Sequence, residues 1–147
     1  MPSTTEALLD VNVLIASVFE DHAHYMRATA FVRSLDHFYT SPTTQGGFLR
    51  FASRPWKNAE AIEQPPRLTI ATAHTKLKEL AASTGHVFLP DDASFSDLPL
   101  QSISGHKQWT DAYLLTLARR HNLRLASFDS RMSNMDVLSK PVLFVVP

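Results

Sequence analysis

The chain has no cysteine. That excludes disulfides, thiolate zinc sites and a cysteine nucleophile. It has only four glycines in 147 residues, which speaks against a glycine-rich phosphate cradle, and no Walker loop or dinucleotide fingerprint is present. No run of about 18 apolar residues occurs, so no membrane span is expected. Residues 1–6 lack the basic and apolar segments of a signal peptide. Net charge is missing too, because 14 basic residues balance 14 acidic ones. That argues against coating nucleic acid by bulk electrostatics. A soluble, cytoplasmic protein is expected.

What is present is globular. Apolar residues make up 44% and charged residues 19%, a balance that folds rather than stays disordered. The length fits one domain over residues 1–147 with a sizeable core. Arg50, Arg54, Lys57 and Arg67 fall close together in sequence, as do Arg119, Arg120 and Arg124. They read as solvated surface or as a local basic rim.

Apolar runs at residues 7–9, 37–40, 87–89, 124–126 and 142–146 read as strands. Nearly continuous apolar character in the last suits a parallel strand covered on both faces. Helical periodicity falls at 12–18, 22–35, 42–53 and 70–83. A further, almost wholly apolar helix runs from a Thr110 cap to residue 121. Asp21 is read as a cap for the second helix. Ser41 followed by Pro42 starts the third. Gly85 is expected to close the fourth. Residues 54–67, with Pro55, Pro65 and Pro66, read as a loop. The alternation implies an α/β fold, a three-layer α/β/α sandwich around a central, mostly parallel five-stranded sheet.

Three carboxylates punctuate this pattern. Asp10 ends the first strand, Asp111 opens the buried helix and Asp129 follows the fourth strand. Singly, each reads as a helix cap or first-turn acid. Together, right-handed crossovers bring their ends to one sheet edge, where open α/β folds build sites. Crowded carboxylates need a counter-ion. Mg²⁺ suits them, with Mn²⁺ as a substitute: both take oxygen ligands and retain waters. Such an ion generates hydroxide and stabilises a phosphodiester transition state. Asn12 adds a neutral oxygen or an orienting donor.

Here the residues carry a resemblance. Leu8-Leu9-Asp10-Val11-Asn12-Val13-Leu14-Ile15 resembles the opening of PIN-domain ribonucleases, and within them the VapC toxins of bacterial toxin–antitoxin pairs. The stretches at residues 41–50, 105–115 and 126–129 resemble their second, third and fourth motifs, in order and over nearly the whole chain. The resemblance implies a single PIN-like domain and an Mg²⁺-dependent endoribonuclease that cuts RNA by metal-activated water. It also implies a homodimer inhibited by a VapB-type antitoxin. Asp10, Asp111 and Asp129 would bind the metal. Asn12 and Ser127 would be supporting polar groups. Ser127, His106 and Arg50 would face the substrate.

The second motif normally carries Glu where this chain has Gln45. Gln keeps an oxygen but loses a charge, so Gln45 is either a weakened site residue or a helix-surface group. Asp91 and Asp92 could supply the missing charge or simply form a turn. Gly46 and Gly47 mark either close backbone approach by a ligand or tight packing. Two readings remain: a nuclease toxin, or a PIN-like module that binds RNA or protein without cutting. An aspartyl phosphatase ranks low, because Asn12 stands where its general acid belongs.

Overall fold

The computed structural model describes residues 2–100, 103–136 and 142–147. Strand β1 (Glu6–Leu9) lies at the centre of a five-stranded sheet. Its neighbours are β2 (His37–Thr40) and β6 (Arg124–Ser127), with Leu8 in register with Tyr39 and Leu125. Two further strands, β5 (His86–Phe88) and β7 (Leu143–Val145), form the edges, giving the order β5-β2-β1-β6-β7. Every pairing is parallel. A parallel sheet must be covered on both faces, and Ala7, Leu8 and Leu9 are fully buried.

Alternation along β1 sends its side chains to opposite layers. Leu8 joins Leu114, Leu117 and Leu125 in the core beneath α5 (Trp109–Arg120). Ala7 and Leu9 join Val13, Leu14 and Ala28 beneath α1 (Val11–Val18) and α2 (Tyr25–Arg33). A third cluster, of Ile15, Phe48, Ala52 and Ala73, joins α1 to α3 (Pro42–Ser53) and α4 (Ile70–Ala82). The three-layer α/β/α sandwich expected from the sequence is what forms.

Local chemistry explains where α3 starts. Pro42 sits at its first position, and Ser41 and Thr44 exchange capping hydrogen bonds. This box also fixes the exit of the chain from β2, beside the end of β1.

Several expectations need correction. The 54–67 segment contains a two-stranded hairpin, β3 (Trp56–Lys57) against β4 (Glu63–Gln64). Asn58 Oδ1 holds its turn by accepting from the Glu60 and Ile62 amides at 3.0 and 2.9 Å. Thr110 is not the cap of α5. A 3₁₀ turn (His106–Gln108) precedes that helix, and Gln108 Oε1 takes the Ser104 and Gly105 amides. Asp21 does not cap α2, whose cap position is His24 with no side-chain bond. Gly85 lies beyond the end of α4, in the turn into β5, at φ +90°. A Cβ there would come 3.0 Å from the Asp36 carbonyl. Among the described residues no helix is long and apolar enough to cross a membrane.

Candidate active site

All five strands of the main sheet point the same way, so the chain leaves β1 and β6 at one edge. Asp10 directly follows β1, and Asp129 lies two residues past β6. Asp111 occupies the first turn of α5, which returns antiparallel towards the start of β6.

Asp10 is only 6% exposed. Its Oδ1 accepts from the Val11 amide at 2.7 Å, and its Oδ2 accepts from the Ser127 hydroxyl at 2.7 Å. Burial raises its proton affinity above the usual carboxylate range; those two hydrogen bonds oppose the rise, and Asp129 adds to it. Ser127 is fully buried and at the hub of the site. Besides donating to Asp10, its oxygen accepts from Asn12 Nδ2 at 3.1 Å and from the Asp129 amide at 3.0 Å. Asn12 Oδ1 completes the loop by accepting from the Phe128 amide at 3.2 Å. Ser127 and Asn12 therefore lock the ends of β1 and β6 together. With its fully buried hydroxyl engaged by Asp10, Asn12 and the Asp129 amide, Ser127 is placed as a positioning group.

Asp111 is pushed up to about 6, first by burial and then by the charges of Asp10 and Asp129. The three carboxylates thus lie in one electrostatic field. Asp129 goes the other way. The Arg131 guanidinium grips it with Nε to Oδ1 at 3.0 Å and Nη2 to Oδ2 at 3.1 Å, holding its proton affinity below the usual range. Among the described residues no three His, Asp or Glu side chains are drawn close enough to grip one ion as they stand. Unneutralised like charges keep apart, and Arg131 already neutralises Asp129.

The helix-cap reading of the carboxylates holds. Asp10 occupies the N-cap position of α1, and Asp129 caps a short 3₁₀ helix (Ser130–Asn134). Asp111 is the acid of the first turn of α5. Helix N-termini favour negative charge, which opposes the burial and repulsion that raise Asp10 and Asp111.

Gln45 follows a different course. Its Nε2 donates to Thr40 Oγ1 at 3.0 Å, and that hydroxyl lies 2.7 Å from His86 Nε2. Burial lowers the proton affinity of His86. A neutral ring accepts from the Thr40 hydroxyl, whose oxygen is then left to accept the Gln45 amide. Asp91 and Asp92 do not replace the missing charge. Asp91 accepts from the Thr43 amide and hydroxyl at the start of α3, and Asp92 pairs with Arg120 and His121 at the end of α5. His106 is exposed on the 3₁₀ turn before α5. Arg50 is exposed on α3, its guanidinium folded over Gly46. Gly47 marks tight packing, since a Cβ there would meet Val11 Cγ2 at 2.6 Å. A cavity of about 620 Å³ lies apart from these three carboxylates, over Val32, Leu35, Phe38 and Leu80.

The PIN domain family matches residues 7–138. The chain belongs to the PIN-domain family. Ribonuclease VapC38 of Mycobacterium tuberculosis is 40% identical over 126 residues, spanning 84% of this chain and 85% of the relative. Ribonuclease VapC29 of the same species is 36% identical over 129 residues, spanning 87% and 89%. This PIN domain therefore falls within the VapC ribonuclease branch. Its fold matches the crystal structure of M. tuberculosis VapC20, a sarcin–ricin-loop-cleaving toxin, with a TM-score of 0.62 at 14% identity over 92% of this chain and 98% of that one. It also matches VapBC2 from Rickettsia felis, solved bound to promoter DNA, with a TM-score of 0.63 at 11% identity over 95% and 98%.

Sequence reasoning missed two parts of this PIN-domain site. Arg131 stands two residues after Asp129, so that ion pair was open to reading from adjacency. The Thr40–His86 link spans 46 residues and left no local signal.

Proposed function

We propose that this PIN domain, as one unit over residues 1–147, is an Mg²⁺-dependent endoribonuclease acting as the toxin of a toxin–antitoxin pair, with Mn²⁺ able to substitute. The observation that carries this reading is the shared field of three carboxylates around a buried, hydrogen-bonded Asp10. The donor set fits a hard divalent cation, being carboxylate and amide oxygen with no sulfur or imidazole. Asp10, Asp111 and Asp129 would hold it, with the Gln45 amide oxygen as a neutral addition. When bound, such an ion lowers the pKa of its water and stabilises charge on the phosphoryl oxygens.

The chain's own contribution is orientation. Ser127 and Asn12 fix Asp10 against β6, so its carboxylate does not have to be ordered when substrate arrives. Arg131 balances Asp129 until another cation competes for it. Arg50 and His106, exposed on α3 and before α5, are the groups free to meet RNA phosphates. In the reaction a water oxygen bonds to phosphorus and the bond to the 3′-oxygen breaks. A proton reaches that oxygen, leaving a 5′-phosphate and a 3′-hydroxyl. The expected partners are RNA, a second copy of the chain and a VapB-type antitoxin.

A second reading, a PIN-like module that binds without cutting, draws on Gln45, whose amide nitrogen is engaged by Thr40. Cleavage of total RNA with Mg²⁺ or Mn²⁺ against EDTA, beside Asp10→Ala, separates the two. Discrete metal-dependent cuts that vanish in the variant support the nuclease. Silence from folded, antitoxin-free protein supports the module. Light scattering tests the dimer. Rescue of growth by the adjacent small open reading frame tests the antitoxin.

A further inference from the structure

A row of hollows lies along the seam between α1 and α3. Its first stretch, about 520 Å³, is lined by Val11, Ile15, Gly47, Arg50, Phe51 and Arg54, among others. Val11 directly follows Asp10, so the furrow opens one residue from the site. Ile15 and Phe51 also line a second hollow of about 250 Å³. That hollow shares Phe19, Asp21 and Arg67 with a third, about 430 Å³, which reaches Trp56 and Gln64 on the β3–β4 hairpin. Shared walls make the three neighbours in one row. Both α1 and α3 begin at the edge that carries the site and run away from it. The row therefore leads from Val11, beside Asp10, towards the hairpin.

Its charge is opposite to that of its origin. Arg50, Arg54 and Arg67 line it, against the single carboxylate of Asp21. Among the described residues none of these three arginines is in an ion pair. Arg67 is held between two rings, 4.3 Å from the Phe51 centroid and 4.4 Å from that of Trp56. Arg54 lies 5.6 Å from Phe51. Stacking uses the faces of a guanidinium and leaves its in-plane N–H groups free, the geometry that meets phosphate oxygens in pairs. A neutral chain that keeps three unpaired guanidiniums on one path is built for a polyanion there, not for its whole surface.

We propose that this furrow carries the single-stranded stretch of RNA flanking the scissile phosphate, with Arg54 and Arg67 holding its phosphates. The proposal rests on the nuclease reading and adds the course of the substrate strand. Because the contacts are to phosphate, they position the RNA without reading its sequence. An RNA strand is favoured over an acidic protein segment because the first hollow begins at Val11, the residue next to Asp10, and guanidiniums line all three hollows.

The test is binding of a short unpaired RNA oligonucleotide to wild type, Arg54→Ala, Arg67→Lys and Lys78→Ala in EDTA, by fluorescence anisotropy across a salt series. Lys78, exposed on α4 outside the furrow, controls for bulk charge. Arg67→Lys keeps the charge and loses the stacked fork, so it does not depend on the hairpin surviving a truncation. The expected result is about five-fold weaker binding or more for both arginine variants and no change for Lys78→Ala. The Arg54→Ala salt slope should fall by about 0.7 per lost phosphate contact. In cleavage assays with metal the loss should fall mainly on KM. Unchanged affinity and slope in both arginine variants, with native melting curves, overturn the proposal. So does a wild type that binds no RNA, or a loss confined to antitoxin binding, which assigns the furrow to a protein partner. Weakened binding in variants of a wild type that cuts nothing supports the furrow and overturns the nuclease reading instead.

Discussion

The Ser127 hydroxyl donates to the Asp10 carboxylate at 2.7 Å, joining groups 117 residues apart. One buried serine thus decides where the central acid of the site points. It also receives Asn12 and the Asp129 amide, so the carboxylate geometry is a property of the β1–β6 junction.

Ser127→Ala removes one of the two hydrogen bonds that the structure gives Asp10 and frees the Asn12 amide. A hydrogen bond to a buried charged group contributes about 2 kcal/mol, and a loss near that size is expected in urea melts. Metal affinity should fall about ten-fold, the usual size of a positioning defect. A variant with wild-type affinity in an Mn²⁺ titration would show that Ser127 merely fills space.

Asp111 sets a pH dependence whose sign is fixed. Its folded value of about 6 lies above the ordinary 3.8. The stability it contributes is therefore present below about pH 4 and lost as the pH rises through about 6. Asp129 and Asp92, held low by Arg131 and by His121, act in the opposite sense at the acid end. Comparison with Asp111→Asn isolates the effect. In EDTA the variant should gain about 1 kcal/mol on wild type at neutral pH, after allowing for solvent screening of a half-buried group, and none at pH 4. Saturating Mg²⁺ should reverse the order. Parallel melting curves from pH 4 to 7 would contradict the shared field.

Gln45→Glu restores a charge at the end of β2. The glutamate turns Thr40 into its donor, and His86 Nε2 then gains a proton to keep its bond to Thr40. Metal affinity should rise about ten-fold, since one added unit charge at short range in protein is worth about 1 kcal/mol or more. The His86 ring should titrate higher by NMR. No change in either would place Gln45 on the helix surface, without a role.

Gly47→Ala tests the seam between α1 and α3. Its Cβ would sit 2.6 Å from Val11 Cγ2, and overpacking of this kind costs about 1–3 kcal/mol. Because Val11 follows Asp10, activity should fall beyond what the melting temperature explains. Full activity at a lowered melting temperature would separate packing from function at this seam.

The strands, the α3 boundaries and the three acids were legible because each had a local cause. Strand periodicity marked β1 and β6, and Ser41-Pro42 marked the start of α3. Each acid sat at an element boundary that sequence shows. The β3–β4 hairpin escaped because two-residue strands carry no alternation, and its turn is held by Asn58 rather than by a Gly pair. Thr110 misled because Gln108 satisfies the amides before α5 first. Asp21 was misread as a cap, and the two readings of Asp91 and Asp92 stayed open, because their partners depend on packing between distant elements. Ser127 was recognised as polar support, but its burial is a tertiary fact.

The 117-residue gap between Asp10 and Ser127 has a consequence in time. A nascent chain that has emerged only through α4 holds Asp10 by the Val11 amide alone, without Ser127, and neither Asp111 nor Asp129 exists yet. Ribosomes add about 5–20 residues per second, so the first carboxylate precedes its partner by several seconds at least. On the proposed site, the three carboxylates come together only after the β6 segment has been made. An inhibitor present by then would meet the site as it forms.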